Sequence, residues 1–191
     1  VLSDVQVNVH LKQVRGVTLT GNTFWMGFAH DLLVEDSSNV VVGPNNFDRN
    51  PRYEYTRTSA RGGLVFRGSR DSTITGVHVN GVRHHAAAVV LEDCTRFNLS
   101  GTTILDCDGV GLQLTNTTLT RVGGSVIRDD RAANAAPAIR VTGGHGNHVI
   151  GTVLDRRAEL AANVAVRRDN AVVPKKLPDV KAYQTLTLYG R

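Results

Sequence analysis

The stretch ILDCDGVGLQL, residues 104–114, places Asp106 and Asp108 two residues apart, just ahead of an alternating apolar run. On extended backbone such side chains leave on the same side, with Cα atoms about 6.5–7 Å apart. That overlaps the ~6.5–9.5 Å at which an acid and a base flank a water in inverting glycoside hydrolysis. The structural alternative is a pair of turn-forming acids bonded to local backbone. Some 20 residues earlier stand His84 and His85. An imidazole titrates near neutral pH, and within reach of a carboxylate it could serve as a base. Neighbours in a strand point opposite ways, so only one of the two can face a given site.

What positions these groups is a repeat. Six segments line up in one register: VHLKQVRGVTLTGNTF (9–24), LLVEDSSNVVVGPNNF (32–47), LVFRGSRDSTITGVHV (64–79), VVLEDCTRFNLSGTTI (89–104), LQLTNTTLTRVGGSVI (112–127) and IRVTGGHGNHVIGTVL (139–154). Each reads apolar-x-apolar, a polar turn, a second strand, a glycine and an apolar residue. The glycines are Gly21, Gly43, Gly76, Gly101, Gly124 and Gly151, 22 to 33 residues apart. A seventh copy begins at 164–173 and decays. The period inside each copy is 2, which means strands. Strands this short must stack copy on copy to bury an apolar face. The sequence therefore predicts an all-β, right-handed parallel β-helix of about seven coils over residues 1–170, with 171–191 a C-terminal extension that leaves the repeat. A β-sandwich would lack six copies in one register.

Composition agrees. The chain has 191 residues, one domain by length, with 5% aromatics and a net charge of +5. Basic balance suits an acidic polymer, but the arginines scatter among loops, with no basic helix or aromatic-studded motif for nucleic acid. No apolar run is long enough to span a membrane. Cys94 and Cys107 have neither metal-ligand spacing nor a disulfide framework, and their positions on opposite corners of one coil predict free thiols. The chain opens Val-Leu-Ser-Asp with no signal-type segment and reads as a mature chain or an excised piece.

These repeats resemble the pectate-lyase-like superfamily over roughly residues 5–170. The resemblance is one of packing consensus, and it implies the β-helix, an extracellular or periplasmic location, and a substrate groove formed by the loops entering the first strand. Those are the loops whose length varies here (48–61, 80–87, 105–110, 128–137 and 155–163), as expected where a solenoid carries function. By the resemblance the groove would be walled by Tyr53, Glu54, Tyr55, Arg57, His84, His85, Asp106, Asp108, Arg128, Asp129 and Asp130. Asp106, Asp108, His84, His85 and Asp129 are then the candidate catalytic residues. Tyr53, Tyr55, Arg57 and Arg128 are the candidate substrate-binding residues, the tyrosines stacking a sugar ring or pinning their loop. DCDGVGLQL itself resembles the polygalacturonase stretch in which aspartates end a loop before the first strand. That family adds an adjacent Asp-Asp, a Gly-His-Gly loop and an Arg-x-Lys on the same edge. The GGHG at 143–146 falls after a first strand, on the wrong corner, and no Arg-x-Lys is present. A lyase would instead gather Ca²⁺ with acids and abstract a proton beside a uronate carboxylate.

The register also assigns rows. Inward pairs run Val9/Leu11, Leu32/Val34, Leu64/Phe66, Val89/Leu91, Leu112/Leu114, Ile139/Val141 and Val164/Val166. Outward, Lys12, Glu35, Arg67 and Glu92 form an alternating-sign ladder, and Leu33, Val65 and Val90 an apolar stripe suited to a partner or a covering loop. Strand-like alternation from residue 5 leaves the first coil uncapped, so further coils or another subunit are expected there. Two functions follow as expectations. One is a polysaccharide-recognising domain, a lyase or glycoside hydrolase if catalytic, favouring acidic polysaccharide. The other is a non-catalytic structural or adhesion-type segment that docks another domain or subunit.

Overall fold

In the computed structural model the chain is described at residues 1–49, 60–131, 134–155 and 158–160, with the backbone alone at 165–166 and 171–172. Strands and turns make up these residues, wound into a right-handed parallel β-helix of about six turns, close to the seven expected.

Each turn contributes one strand to each of three parallel sheets. The first sheet stacks Val7–Lys12, His30–Glu35, Leu64–Arg67, Ala87–Glu92, Val110–Thr115, Ile139–Thr142 and Ala158–Leu160. The second stacks Arg15–Leu19, Ser38–Val42, Arg70–Thr75, Thr95–Ser100, Arg121–Gly123, His148–Ile150 and Ala165–Val166. The third stacks Leu2–Ser3, Thr23–Trp25, Asn46–Asp48, His78–Asn80, Thr103–Leu105, Val126–Arg128, Val153–Leu154 and Ala171–Val172. Among the described residues no helix is long and apolar enough to cross a membrane.

The register matches the repeat. Val9, Leu32, Leu64, Val89, Leu112 and Ile139 pair in sequence along the first sheet. From Leu32 onward these residues and their partners two positions later are buried. Phe24 stacks on Phe47 with ring centroids 4.5 Å apart, and Phe66 meets Phe97 edge-on at 5.5 Å. Burying each such ring stabilises the fold by about 1.5–3 kcal/mol.

The seventh copy differs from expectation. The strand continuing the first sheet is Ala158–Leu160, with Ala158 opposite Ile139 and Leu160 opposite Val141. Val166 instead pairs with Val149 in the second sheet. A V-x-V pattern fits either sheet, because both alternate with period 2, and in a decaying repeat nothing else fixes the phase.

Turn chemistry explains why the coils superpose. The residue closing each first strand takes left-handed backbone: Gln13, Asp36, Gly68, Asp93, Asn116 and Gly143, with φ of 50–68°. Gly, Asn and Asp enter that region most cheaply. Just after it runs a column of small polar side chains. Ser37 Oγ accepts from the Val14 amide, and Ser69 Oγ from the Ser37 amide. Cys94 stands in the same column, its thiol donating to carbonyls of Phe66 and Glu92. Of the six repeat glycines only Gly43 lacks positive φ; it precedes Pro44, whose ring pushes the preceding residue toward extended backbone.

On the outer face the charge ladder forms as expected. Lys12, Glu35, Arg67 and Glu92 are successive Cα partners, with Lys12–Glu35 at 3.6 Å and Arg67–Glu92 at 3.1 Å. Exposed pairs of this kind contribute at most ~1 kcal/mol each. Leu33, Val65 and Val90 also align, but the stripe is drawn back from solvent, Val65 being only 6% exposed. Cys94 and Cys107 are free and buried.

Candidate functional site

The edge between the third and first sheets carries the variable loops, and the described candidates gather there. Asp106, in a left-handed turn with φ 49°, accepts at its carboxylate from the Asp130 amide at 2.9 Å, and its carbonyl accepts from Arg83. Asp108 accepts from the His84 amide and from the Arg131 guanidinium, both at 2.9 Å. Burial opposes ionisation of Asp108, but these two donors outweigh it and hold its carboxyl below the usual range. Asp129 is fully buried. Its carboxylate takes the Arg131 fork at 2.9 and 3.0 Å, the Arg131 amide at 3.0 Å and Asn134 Nδ2 at 3.0 Å. Burial again opposes the charge, and the donors win, drawing the carboxyl down to about 2. Asn134 Nδ2 also donates to the carbonyls of Cys107 and Gly109.

Loop 106–109 and loop 129–134 are thereby laced together from adjacent coils. The expected proximity of Asp106, Asp108, His84 and Asp129 is present, and in it the carboxylates accept donors from neighbouring loops. Arg128 pairs with Asp130 at 2.6 Å. His84 is exposed. His85 turns the other way and stacks on His30, ring centroids 5.2 Å apart, with its Nε2 2.8 Å from the Ala29 carbonyl. His145 of the GGHG bridges to Thr118 on the opposite corner. Tyr53, Tyr55 and Arg57, with Glu54, lie outside the described residues.

Toward the N-terminal coils the same edge holds a second group that sequence reasoning passed over. Met26, Asp31, Asp48, Arg49, Arg61, Gly62, Asn80, Gly81 and Val82 line a shallow surface cleft. Asp31 is 3% exposed and accepts from the Gly27 amide at 2.9 Å, the Gly63 amide at 3.1 Å and Asn8 Nδ2 at 2.9 Å. Burial outweighs those donors and lifts its carboxyl to about 6. Asp48 accepts from Asn80 Nδ2 at 2.8 Å, while Arg49 donates to the Ala60 carbonyl at 2.8 Å. Arg61 is exposed, and its guanidinium has no hydrogen-bond or ion-pair partner among the described residues. His30, beside Asp31, is lowered to about 4 by burial and then by His85, Arg67 and Arg61.

One signal for this cleft was present in the sequence. The residues just before the first inward position are Asn8, Asp31, Gly63, Ala88, Gly111 and Ala138. Two polar side chains in a row of glycine and alanine mark a position that is buried and must be hydrogen-bonded.

A family model described as periplasmic copper-binding protein (NosD) matches residues 1–120. Among solved structures, a protein from Parabacteroides merdae provisionally named a glycosyl hydrolase is 11% identical, with a TM-score of 0.55 over 91% of this chain and 81% of that one. QnrB1, a plasmid-mediated fluoroquinolone resistance protein, is 9% identical over 76% of this chain and 70% of that one, at a TM-score of 0.26 that carries no argument. At such identities the likeness concerns the fold alone. No curated protein matches.

Proposed function

The chain belongs to the NosD family, a family of right-handed parallel β-helices, and on that premise we propose that its loop edge binds an acidic polysaccharide, in the periplasm or outside the cell. Arg61 carries this reading. It is an exposed guanidinium with no partner among the described residues, on the rim of a cleft that Arg49 and Asn80 also line. A planar guanidinium meets a carboxylate or sulfate with two parallel hydrogen bonds, so a uronate or sulfated sugar complements it. Hydroxyls of the same ring would be met by Asp48 and Asn80. A lyase of this kind would recruit Ca²⁺ with its acids; the described residues contain no group of three or more His, Cys, Asp or Glu arranged to hold a metal ion.

The structural reading has its own observation. Asp106, Asp108 and Asp129 are occupied in lacing loops, as scaffold residues would be. Calorimetric titration with acidic and neutral oligosaccharides separates the two. Arg61→Ala should weaken binding of an oligouronate about 10-fold or more, the scale of a lost charge-assisted hydrogen bond, without altering the melting temperature. Unsaturated or reducing ends appearing on incubation would add turnover to binding. No acidic oligosaccharide bound, with an intact fold, favours the structural solenoid.

A further inference from the structure

Every imidazole, thiol and thioether of the chain lies among the described residues: seven His, two Cys and one Met. These are the side chains that bind copper, thiolate and thioether selecting Cu(I), imidazole suiting Cu(II) and Cu(I). The remaining residues add oxygen and amine donors, of which oxygen suits harder cations. The family description can therefore be tested on this chain donor by donor.

Cys94 and Cys107 occupy different corners of the barrel, one in the turn column after a first strand, the other in the loop before the next. Both belong to the apolar core, and both thiols spend their hydrogen on backbone carbonyls: Phe66 and Glu92 for Cys94, Leu105 for Cys107. Metal binding needs the thiolate, and burial drives the thiols the other way, to about 11 and about 12. Met26 is 1% exposed and has no imidazole or thiol beside it in the cleft that it lines.

The imidazoles are dispersed. His10 bonds Glu35 on the first sheet at 2.9 Å, His78 lies on the third sheet, His84 is exposed in the loop before a first strand, and His145 and His148 lie in the turn before the second sheet and on that sheet. His30 and His85 do meet, and His30 Nδ1 is buried without a partner. Their rings, however, are stacked only 13° from parallel. Imidazole lone pairs lie in the ring plane, so stacked rings send them along parallel planes rather than toward one ion. His85 Nε2 is also held at the Ala29 carbonyl.

We infer that this chain carries the β-helix of its family without a copper site: the described coils keep the scaffold, while their soft and imidazole donors are built into core and turns. The inference is independent of the saccharide reading. It is tested on the full chain, incubated anaerobically with Cu(I) and separately with Cu(II), then desalted and competed with bathocuproine disulfonate for Cu(I) and EDTA for Cu(II). Copper content is read by mass spectrometry, and thiol reactivity is followed in parallel. Substoichiometric copper, with both thiols equally unreactive before and after, is the expected result. One equivalent retained against the competitor overturns the inference. Its loss in His85→Gln would place the metal at the stacked pair, and its loss in Cys107→Ser at a rearranged core; either variant is read only once its circular dichroism matches the parent.

Discussion

Asp31 and Asp129 are both buried on the loop edge, yet their surroundings push the two carboxyls in opposite directions. Asp31 is raised to about 6 against ~3.9 in an unfolded chain. Between those values the folded protein keeps a proton that the unfolded chain gives up, so stability falls as pH rises from about 4 to about 6, then levels. Asp129, at about 2, is the converse. Its contribution is complete above the unfolded value and is lost as pH falls from about 4 toward about 2. Melting temperature followed against pH should show both limbs. Asp31→Asn should flatten the limb between about 4 and 6, and Asp129→Asn the acid limb. The latter variant, leaving Arg131 and Asn134 short of acceptors, should also cost about 1–3 kcal/mol at neutral pH. An acid limb unchanged by Asp129→Asn would remove the loop-lacing role assigned to that carboxylate. Neither shift was legible in the sequence. Asp129 stood in the candidate set because its loop enters a first strand, whereas its burial depends on Arg131 and Asn134 folding back over it. For Asp31 the repeat register aligns Asn8 with it, but nothing in the chain order shows that the Gly27 and Gly63 amides also converge there.

At the scale of strands and turns the sequence was far more informative, for a physical reason. Each coil must present the same face to its neighbours, so apolar alternation and turn residues recur at fixed offsets, and the first-sheet register from Val9 to Ile139 could be read directly. The phase was lost where that pressure fades, at Ala158–Leu160, whose strand lacks the bulky pair of earlier copies. The turns also show where the repeat is not at its optimum. One column of left-handed residues in the second sheet and its approach runs Gly16, Asn39, Asp71, Arg96, Leu119 and Gly146. Leu119 has φ 54° and is 54% exposed, so a branched side chain carries a left-handed backbone with little burial in return. A non-glycine residue there costs roughly 1–2 kcal/mol, and Asn escapes most of it through local hydrogen bonding. Leu119→Asn should therefore stabilise the protein by about 1 kcal/mol, raising the melting temperature by roughly 2–4 °C. A melting temperature that stays level or drops would mean that the leucine packs usefully over Gly146.

In the molecule as a whole, every paired strand finds its partner one coil away: His30 against Val7, Leu64 against Leu32, Val89 against Leu64, Leu112 against Val89. Among the described residues no strand closes on a distant segment. The consequence appears under mechanical load. A sandwich or closed barrel resists pulling until a shared core gives way, whereas a stack whose layers hold only their neighbours can be peeled from one end like plies. Drawn apart by its termini, the protein should yield in successive small rips, each releasing the chain of one coil, roughly 70–120 Å of contour at ~3.3–3.6 Å per residue. Optical-trap traces showing one rip of the full contour would mean that the coils are coupled beyond their nearest neighbours. A ladder of small rips would make the β-helix a graded spring, one that pays out chain without surrendering its remaining coils.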